Sequence, residues 1–134
     1  MHDYKWTTLV LILALLSYVH ATMKVGGARA KFGIKAPATT GNEDFERVFR
    51  AHQNSVEQMV MFLPLLALAA CTWGDMWAGI YGLTYSVGRV LYTEGYAKAA
   101  EKRSFGFMLS GGVSLGVLAA IIITMLLRHF GIGA

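Results

Sequence analysis

The 134-residue chain has one cysteine, Cys71, and two prolines, Pro37 and Pro64. One cysteine excludes an internal disulfide and a cysteine-rich metal site. The four histidines, at positions 2, 20, 52 and 129, show no metal-ligand spacing, so no metal centre is expected. There is no Gly-rich phosphate loop and no Ser-His-Asp pattern. There is also no internal repeat, low-complexity segment or domain boundary, so residues 1–134 are read as one domain. The first segment lacks the short apolar region and small-residue cleavage site of a removable signal, and is expected to remain as a mature helix.

What is abundant is apolar sequence: 55% of the residues are hydrophobic, which favours a membrane protein over a soluble core. Trp6 to Met23 is 18 residues without a full charge, about 27 Å of helix and close to a bilayer core. Ser104 to Leu127 is 24 uncharged residues. Met59–Trp73 and Met76–Gly88 are shorter and span a bilayer only together with polar turns beside them. The expected fold is therefore all-α: a four-transmembrane-helix up-down bundle with helices at about 4–31, 44–72, 76–99 and 104–128. Asn42 or Asp44 is suited to cap the second helix. Pro64 is expected to kink that helix, and Trp73-Gly-Asp75 to form a tight turn. Gly112-Val-Ser-Leu-Gly116 is a small-xxx-small pattern suited to close helix packing.

A net charge of +4 raises the question of nucleic acid, but the positions argue against it. Ten of the twelve Lys and Arg residues flank the first and third connections. Only Lys5 and Arg128 lie on the other side, and the second connection, Trp73-Gly-Asp-Met-Trp77, has no basic residue. The positive-inside rule places connections one and three in the cytoplasm and both termini outside. Trp6, Trp73 and Trp77 then fall at the outer ends, as an aromatic belt. Attraction for anionic lipid is a secondary consequence of the same charges.

The remaining polar residues are not scattered. On a helix Arg47, Arg50, Asn54 and Glu57 fall on one face, and so do Arg89, Tyr92, Tyr96 and Arg103. Charged groups at this depth are costly unless they pair, face a bundle interior or line a wet cavity, so they mark function. Arginines for carboxylates, a glutamate for an ammonium and an asparagine between them suit a small zwitterionic ligand. The two faces are expected to meet within the bundle or across a subunit boundary. Arg89 is expected to pair with Glu57 or Glu94, or to point at headgroups. Cys71 and the methionines are read as packing.

These residues also carry a resemblance. Phe45-Glu-Arg-Val-Phe-Arg-Ala-x-x-Asn54-x-x-Glu57 with Pro64 downstream resembles the signature of the membrane-associated proteins in eicosanoid and glutathione metabolism. Ala36-Pro-Ala-Thr-Thr-Gly41 and Gly88-Arg-Val-Leu-Tyr-Thr-Glu-Gly-Tyr96 extend the similarity, which runs from about Arg29 to Arg103. It is nearest the glutathione transferase and leukotriene C synthase branch. The resemblance implies a homotrimer with glutathione as cosubstrate, bound between subunits and open to the cytoplasmic side. It implies conjugation of glutathione to lipophilic electrophiles, with lipid hydroperoxide reduction as a second reaction. Arg29, Arg50, His52, Asn54, Glu57, Tyr92 and Tyr96 match glutathione-binding positions, and Arg103 matches the arginine that stabilises the thiolate.

The pattern departs from the leukotriene branch at Ala30, where a second arginine stands there, at His52 in place of glutamine, and at Gln58 in place of tyrosine. Two other readings remain: a non-enzymatic lipid-presenting protein of the same family, and a small transporter with Glu57 as coupling carboxylate. On their own, Arg47 and Arg50 read as inside-facing anchors, Tyr92 and Tyr96 as belt residues, and His20 and His52 as polar packing. A short chain with no evident retention signal fits a bacterial inner membrane. The charge distribution predicts that a reporter fused after Ala134 is non-cytoplasmic. Cytoplasmic reporter activity would overturn the orientation or the helix count.

Overall fold

The computed structural model describes residues 4–131, which form helices joined by short connections. They are α1 (Lys5–Phe32), α2 (Glu43–Trp73), α3 (Asp75–Lys98), a 3-10 turn (Ala100–Arg103), α4 (Ser104–Phe107), a π-helical stretch (Met108–Gly112) and α5 (Val113–His129). The last three segments run on as one rod, so the bundle has the expected four rods. The π-helical stretch was not expected. It contains the pair Gly111-Gly112, and glycine lowers the cost of leaving regular α geometry.

Local chemistry sets the helix ends. Asn42 caps α2, its side-chain oxygen accepting from the Phe45 N–H at 3.1 Å. Glu43, Asp44 and Glu46 follow in the first turn, where negative charge suits the helix dipole. At the end of α1, Gly33 adopts φ 67°, a left-handed conformation that glycine takes without strain. The start of α1 has no cap of its own. It borrows Asp75 from the first turn of α3: the carboxylate accepts from Trp6 N at 3.0 Å, Thr7 N at 2.8 Å and Thr7 Oγ1 at 2.7 Å. That contact ties the α2–α3 turn to α1 and brings Trp6, Trp73 and Trp77 to one end of the bundle.

The outer surface is apolar. Ile12, Leu16, Val60, Leu83, Leu115 and Ile123 are each at least half exposed, the reverse of a water-soluble domain. α1, α2 and the Ala100–His129 rod are long and apolar enough to cross a membrane. α3 is shorter and more polar, and packs against each of the other rods. Ten of its residues are buried, among them Arg89 and Thr93, so the bundle rather than lipid surrounds these two polar groups.

The core at the tryptophan end is built on Phe62, stacked on Tyr85 with ring centroids 3.8 Å apart, beside Leu65, Leu66, Tyr81 and Ile121. Small residues let the backbones approach. A Cβ on Gly79 would fall 2.7 Å from the Trp6 Cβ, and one on Gly88 would fall 2.8 Å from the Ser110 backbone nitrogen. A Cβ on Gly106 would run into the Tyr92 backbone. The Gly112/Gly116 pattern does not provide this packing: Gly116 faces open space, and Gly88 and Gly106 hold α3 to the last rod. Buried hydroxyls of Ser17, Ser55, Ser86, Ser110 and Ser114 donate to carbonyls three or four residues back, so they need no water. Gly106→Ala is expected to destabilise the fold by about 1–3 kcal/mol through backbone overlap, and Gly116→Ala to be neutral. Thermal unfolding of both variants in detergent checks this, and equal melting temperatures would refute the packing assignment.

Candidate functional site

The two polar faces meet within one chain. α2 and α3 run antiparallel, which brings the Asn54 turn of α2 beside Arg89 of α3. Arg89, 2% exposed, donates from Nη1 to Asn54 Oδ1 at 3.1 Å and from Nη2 to Ser55 Oγ at 2.7 Å. Its guanidinium carbon lies 4.4 Å from the Tyr92 ring centroid. The expected partners Glu57 and Glu94 do not bond it. Glu94 instead accepts from Lys24 at 2.7 Å and hydrogen-bonds His20 at 2.8 Å, because α1 packs on that side of α3. Ser55 and Gln53 join the cluster through Arg89 and Arg50, although the sequence alone does not mark them. Both sit beside Asn54, and only the partner helix distinguishes them from ordinary helix polar residues.

From Arg89 the contacts continue outward. Asn54 Nδ2 donates to Glu57 Oε2 at 3.2 Å, and Arg50 Nη1 donates to Glu57 Oε1 at 3.4 Å and to Gln53 Oε1 at 3.1 Å. On α3, Tyr92 and Tyr96 meet edge to face with centroids 5.7 Å apart, and the guanidinium of Arg103 lies 4.8 Å from the Tyr96 ring centroid. Arg50, Asn54, Glu57, Tyr92, Tyr96 and Arg103 thus form one string from α2 across α3 to the 3-10 turn. The outer end is accessible: the Arg50 and Glu57 side chains are 52% and 48% exposed. Beside them lies a cavity of 590 Å³ lined by Arg50, Gln53, Tyr96, Glu43 and Glu46. With Arg47 also in its wall, it offers two arginines, two carboxylates, an amide and aromatic surface within reach of one another, which suits a small ligand bearing both charges.

The other expected residues lie outside the string, although Arg47 lines the same cavity. Arg47 turns back to Asp44 on its own helix. Arg29 donates to the Ala38 and Ile34 carbonyls at 2.8 and 3.3 Å and lies over the Phe45 ring, bracing the loop between α1 and α2. His52 stacks on Tyr18 of α1 with centroids 5.3 Å apart, away from the string. Gln58 presents a buried, unpartnered Oε1 towards Gly111, and Ala30 is exposed on α1. Among the described residues no group of His, Cys, Asp and Glu is arranged to hold a metal.

An apolar-walled helical bundle with a polar cluster at its basic end defines an integral membrane protein with a candidate site at that end. The chain belongs to the MAPEG family, whose sequence model matches residues 7–123. It is similar to an uncharacterised protein of Synechocystis sp., 44% identical over 121 residues, covering 90% of this chain and 88% of that one. It is 43% identical over 112 residues to microsomal glutathione S-transferase 2 of Homo sapiens, covering 84% of this chain and 74% of the relative. Leukotriene C4 synthase of Bos taurus is 33% identical over 121 residues, with 90% and 80% covered.

Arg89 carries two buried hydrogen bonds that one planar fork can make together. Lysine, a point donor on a flexible stem, is expected to satisfy only one of them. Arg89→Lys should therefore lower unfolding stability by about 1–3 kcal/mol, read as a fall in melting temperature in detergent. An unchanged melting temperature would show that the fork is not needed.

Proposed function

We propose that the protein is a membrane-bound glutathione transferase that conjugates glutathione to lipophilic electrophiles. The observation that carries this reading is the string Arg50–Glu57–Asn54–Arg89–Tyr92–Tyr96–Arg103, open at the Arg50 end. Its support is complementarity. Glu57 suits the γ-glutamyl ammonium, Arg50 and the tyrosine hydroxyls suit carboxylate and amide oxygens, and Asn54 offers an amide between them. The names of the two mammalian relatives point the same way.

In this reading Arg103 faces the sulfur. A thiol of pKa about 8.5 is mostly protonated at neutral pH, and an adjacent permanent cation favours the anion. The thiol proton passes to water. The thiolate attacks the electrophilic carbon, a C–S bond forms, and the bond from that carbon to its leaving group breaks with the electron pair on the leaving group. An epoxide oxygen released this way takes up a proton from water. With a lipid hydroperoxide, two glutathione molecules yield the disulfide, the alcohol and water. The protein needs no covalent nucleophile. It contributes positioning and charge stabilisation, while the bilayer concentrates the apolar partner.

The proposed assembly is a homotrimer with sites between subunits. It accounts for Arg29 and His52, which lie away from the string in their own chain: both enter the reading as groups presented by a neighbour. In the proposed orientation the site opens to the cytoplasm.

Glu57→Gln and Arg50→Ala each remove a charged contact and are expected to weaken glutathione binding about ten- to a hundredfold without unfolding the protein. Titration calorimetry on detergent-purified protein reads this directly, and parental affinity in both variants would sink the proposal. Arg103→Leu should separate binding from chemistry. Most of the affinity should remain, the ultraviolet thiolate band of the complex should disappear, and the rate should rise with pH as free thiol ionises. Arg103→Lys should recover part of the rate. A leucine variant with the parental rate and pH profile would remove Arg103 from the mechanism.

A further inference from the structure

The other charged feature of the basic end lies on a different face. A cleft of 460 Å³ opens between α1, the start of α2 and the end of α3. Lys24, Lys31, Arg47 and Lys98 line it, with Asp44 and Glu94. Four cations against two carboxylates leave an excess of two positive charges. Lys24 is bonded to Glu94 and Arg47 to Asp44, whereas Lys31 and Lys98 have no acidic partner among the described residues. The floor is apolar, formed by Ala28, Phe32, Val48 and Ala97.

The cleft is one end of a longer furrow. Below it a groove of 530 Å³ runs between α1 and α3, lined by apolar side chains with His20, Ser17 and Ser86. Glu94, which lines the cleft, bonds Lys24 of the cleft and His20 of the groove, so a single ion-pair cluster stands between the two cavities. They share one face of each helix: Leu13, Leu16, His20, Lys24, Gly27 and Lys31 on α1, and Leu83, Val87, Leu91, Glu94 and Lys98 on α3. Each set advances by three or four residues, the spacing of a single helix face. Ser17 and Ser86 have their hydroxyls on their own helix backbones, so the groove wall offers an apolar occupant no unpaired side-chain hydroxyl. The α1 stretch from Leu13 to Lys31 is about 27 Å long, enough for a headgroup and most of one chain. A Cβ at Gly27 would meet nothing within 4 Å, so there is room at this point of the cleft wall for a larger side chain.

We propose that the α1–α3 furrow binds an anionic phospholipid, with its phosphate between Lys31 and Lys98 and one acyl chain along the apolar groove. Charge complementarity selects the headgroup, and the apolar groove on the same helix faces selects a lipid over a free anion. The furrow is separate from the Arg50–Glu57 string, and the proposal does not depend on glutathione chemistry.

The test uses the full-length protein, delipidated in detergent and titrated with phosphatidylglycerol and phosphatidylcholine of identical chains. Bound lipid is counted by native mass spectrometry. The parent should retain phosphatidylglycerol in preference. The double variant Lys31→Gln/Lys98→Gln should lose that preference by about tenfold or more, at roughly 1 kcal/mol per basic residue. Lys35→Gln/Lys102→Gln, which removes two charges of the same end outside the cleft, should keep it. Gly27→Leu should lower phosphatidylglycerol retention with no change of charge, by filling the cleft. The proposal is overturned if both double variants lose the preference equally, since the effect is then the general field of the basic end. It is also overturned if glycerol 3-phosphate displaces the lipid at equal concentration, making the anion alone the ligand. Dissociation of an oligomer by Gly27→Leu with lipid retention unchanged would overturn it too, and would assign the furrow to a second copy of the chain.

Discussion

A permanent cation inside an apolar bundle must find its hydrogen bonds there, and Arg89 is that cation. Leaving arginine unpaired at membrane depth costs at least about 2.5–3.5 kcal/mol. Here Nη1 and Nη2 are bound to Asn54 and Ser55. Both acceptors lie on α2, so the bonds set the depth and rotation of α2 against α3. Once Asn54 Oδ1 is held, its amide nitrogen is aimed at Glu57, and Glu57 faces Arg50. The accessible end of the candidate site is thus oriented from a buried anchor. An interaction of this kind adds little net stability, because desolvation offsets much of its gain, but it makes the alternative packings worse.

α3 is the element that makes such an anchor tolerable. It is too polar to be a comfortable membrane span by itself, and it occupies the middle of the bundle. Gly79, Gly82, Gly88 and Gly106 remove the side chains that would keep α1 and the last rod away from it. Close approach then excludes lipid from Arg89 and Thr93, and the Tyr92 ring lies against the Arg89 guanidinium. Packing by small residues and burial of polar groups are one device here: the first provides the dry space that the second requires.

The basic end carries two kinds of charge arrangement. On the α2–α3 side, cation and carboxylate alternate at close range around a 590 Å³ cavity, an arrangement suited to a molecule with charges of both signs. On the α1–α3 side the cations are in excess and stand over an apolar groove, an arrangement suited to an amphiphile. Arg47 lines both cavities and is paired with Asp44, so the first turns of α2 form the wall between them. One set of basic residues thus serves a proposed orientation, a proposed cosubstrate site and a proposed lipid site.

Much of this was legible in the chain because it depends on local order. Runs without charge gave the rods, Asn42 its cap, Trp73-Gly-Asp75 the turn, and the periodicity of Arg50, Asn54 and Glu57 a single polar face. Residue type and spacing along one helix settle those features. What they do not settle is which faces meet. Arg89 is expected at Glu57 or Glu94 and bonds Asn54 and Ser55 instead, in the same α2–α3 packing that stacks Phe62 on Tyr85. Glu94, expected as a partner of Arg89, is held by His20 and Lys24, because α1 packs on its side. Gly112 and Gly116 carry the recognisable packing pattern, yet Gly88 and Gly106 make the contact, since close approach depends on what stands opposite a glycine. The sequence by itself determined the helices and the chemistry available on each. Tertiary structure decided which groups are paired and which remain free for a ligand, because hydrogen bonds and ion pairs act over a few ångströms and their partners come from different helices.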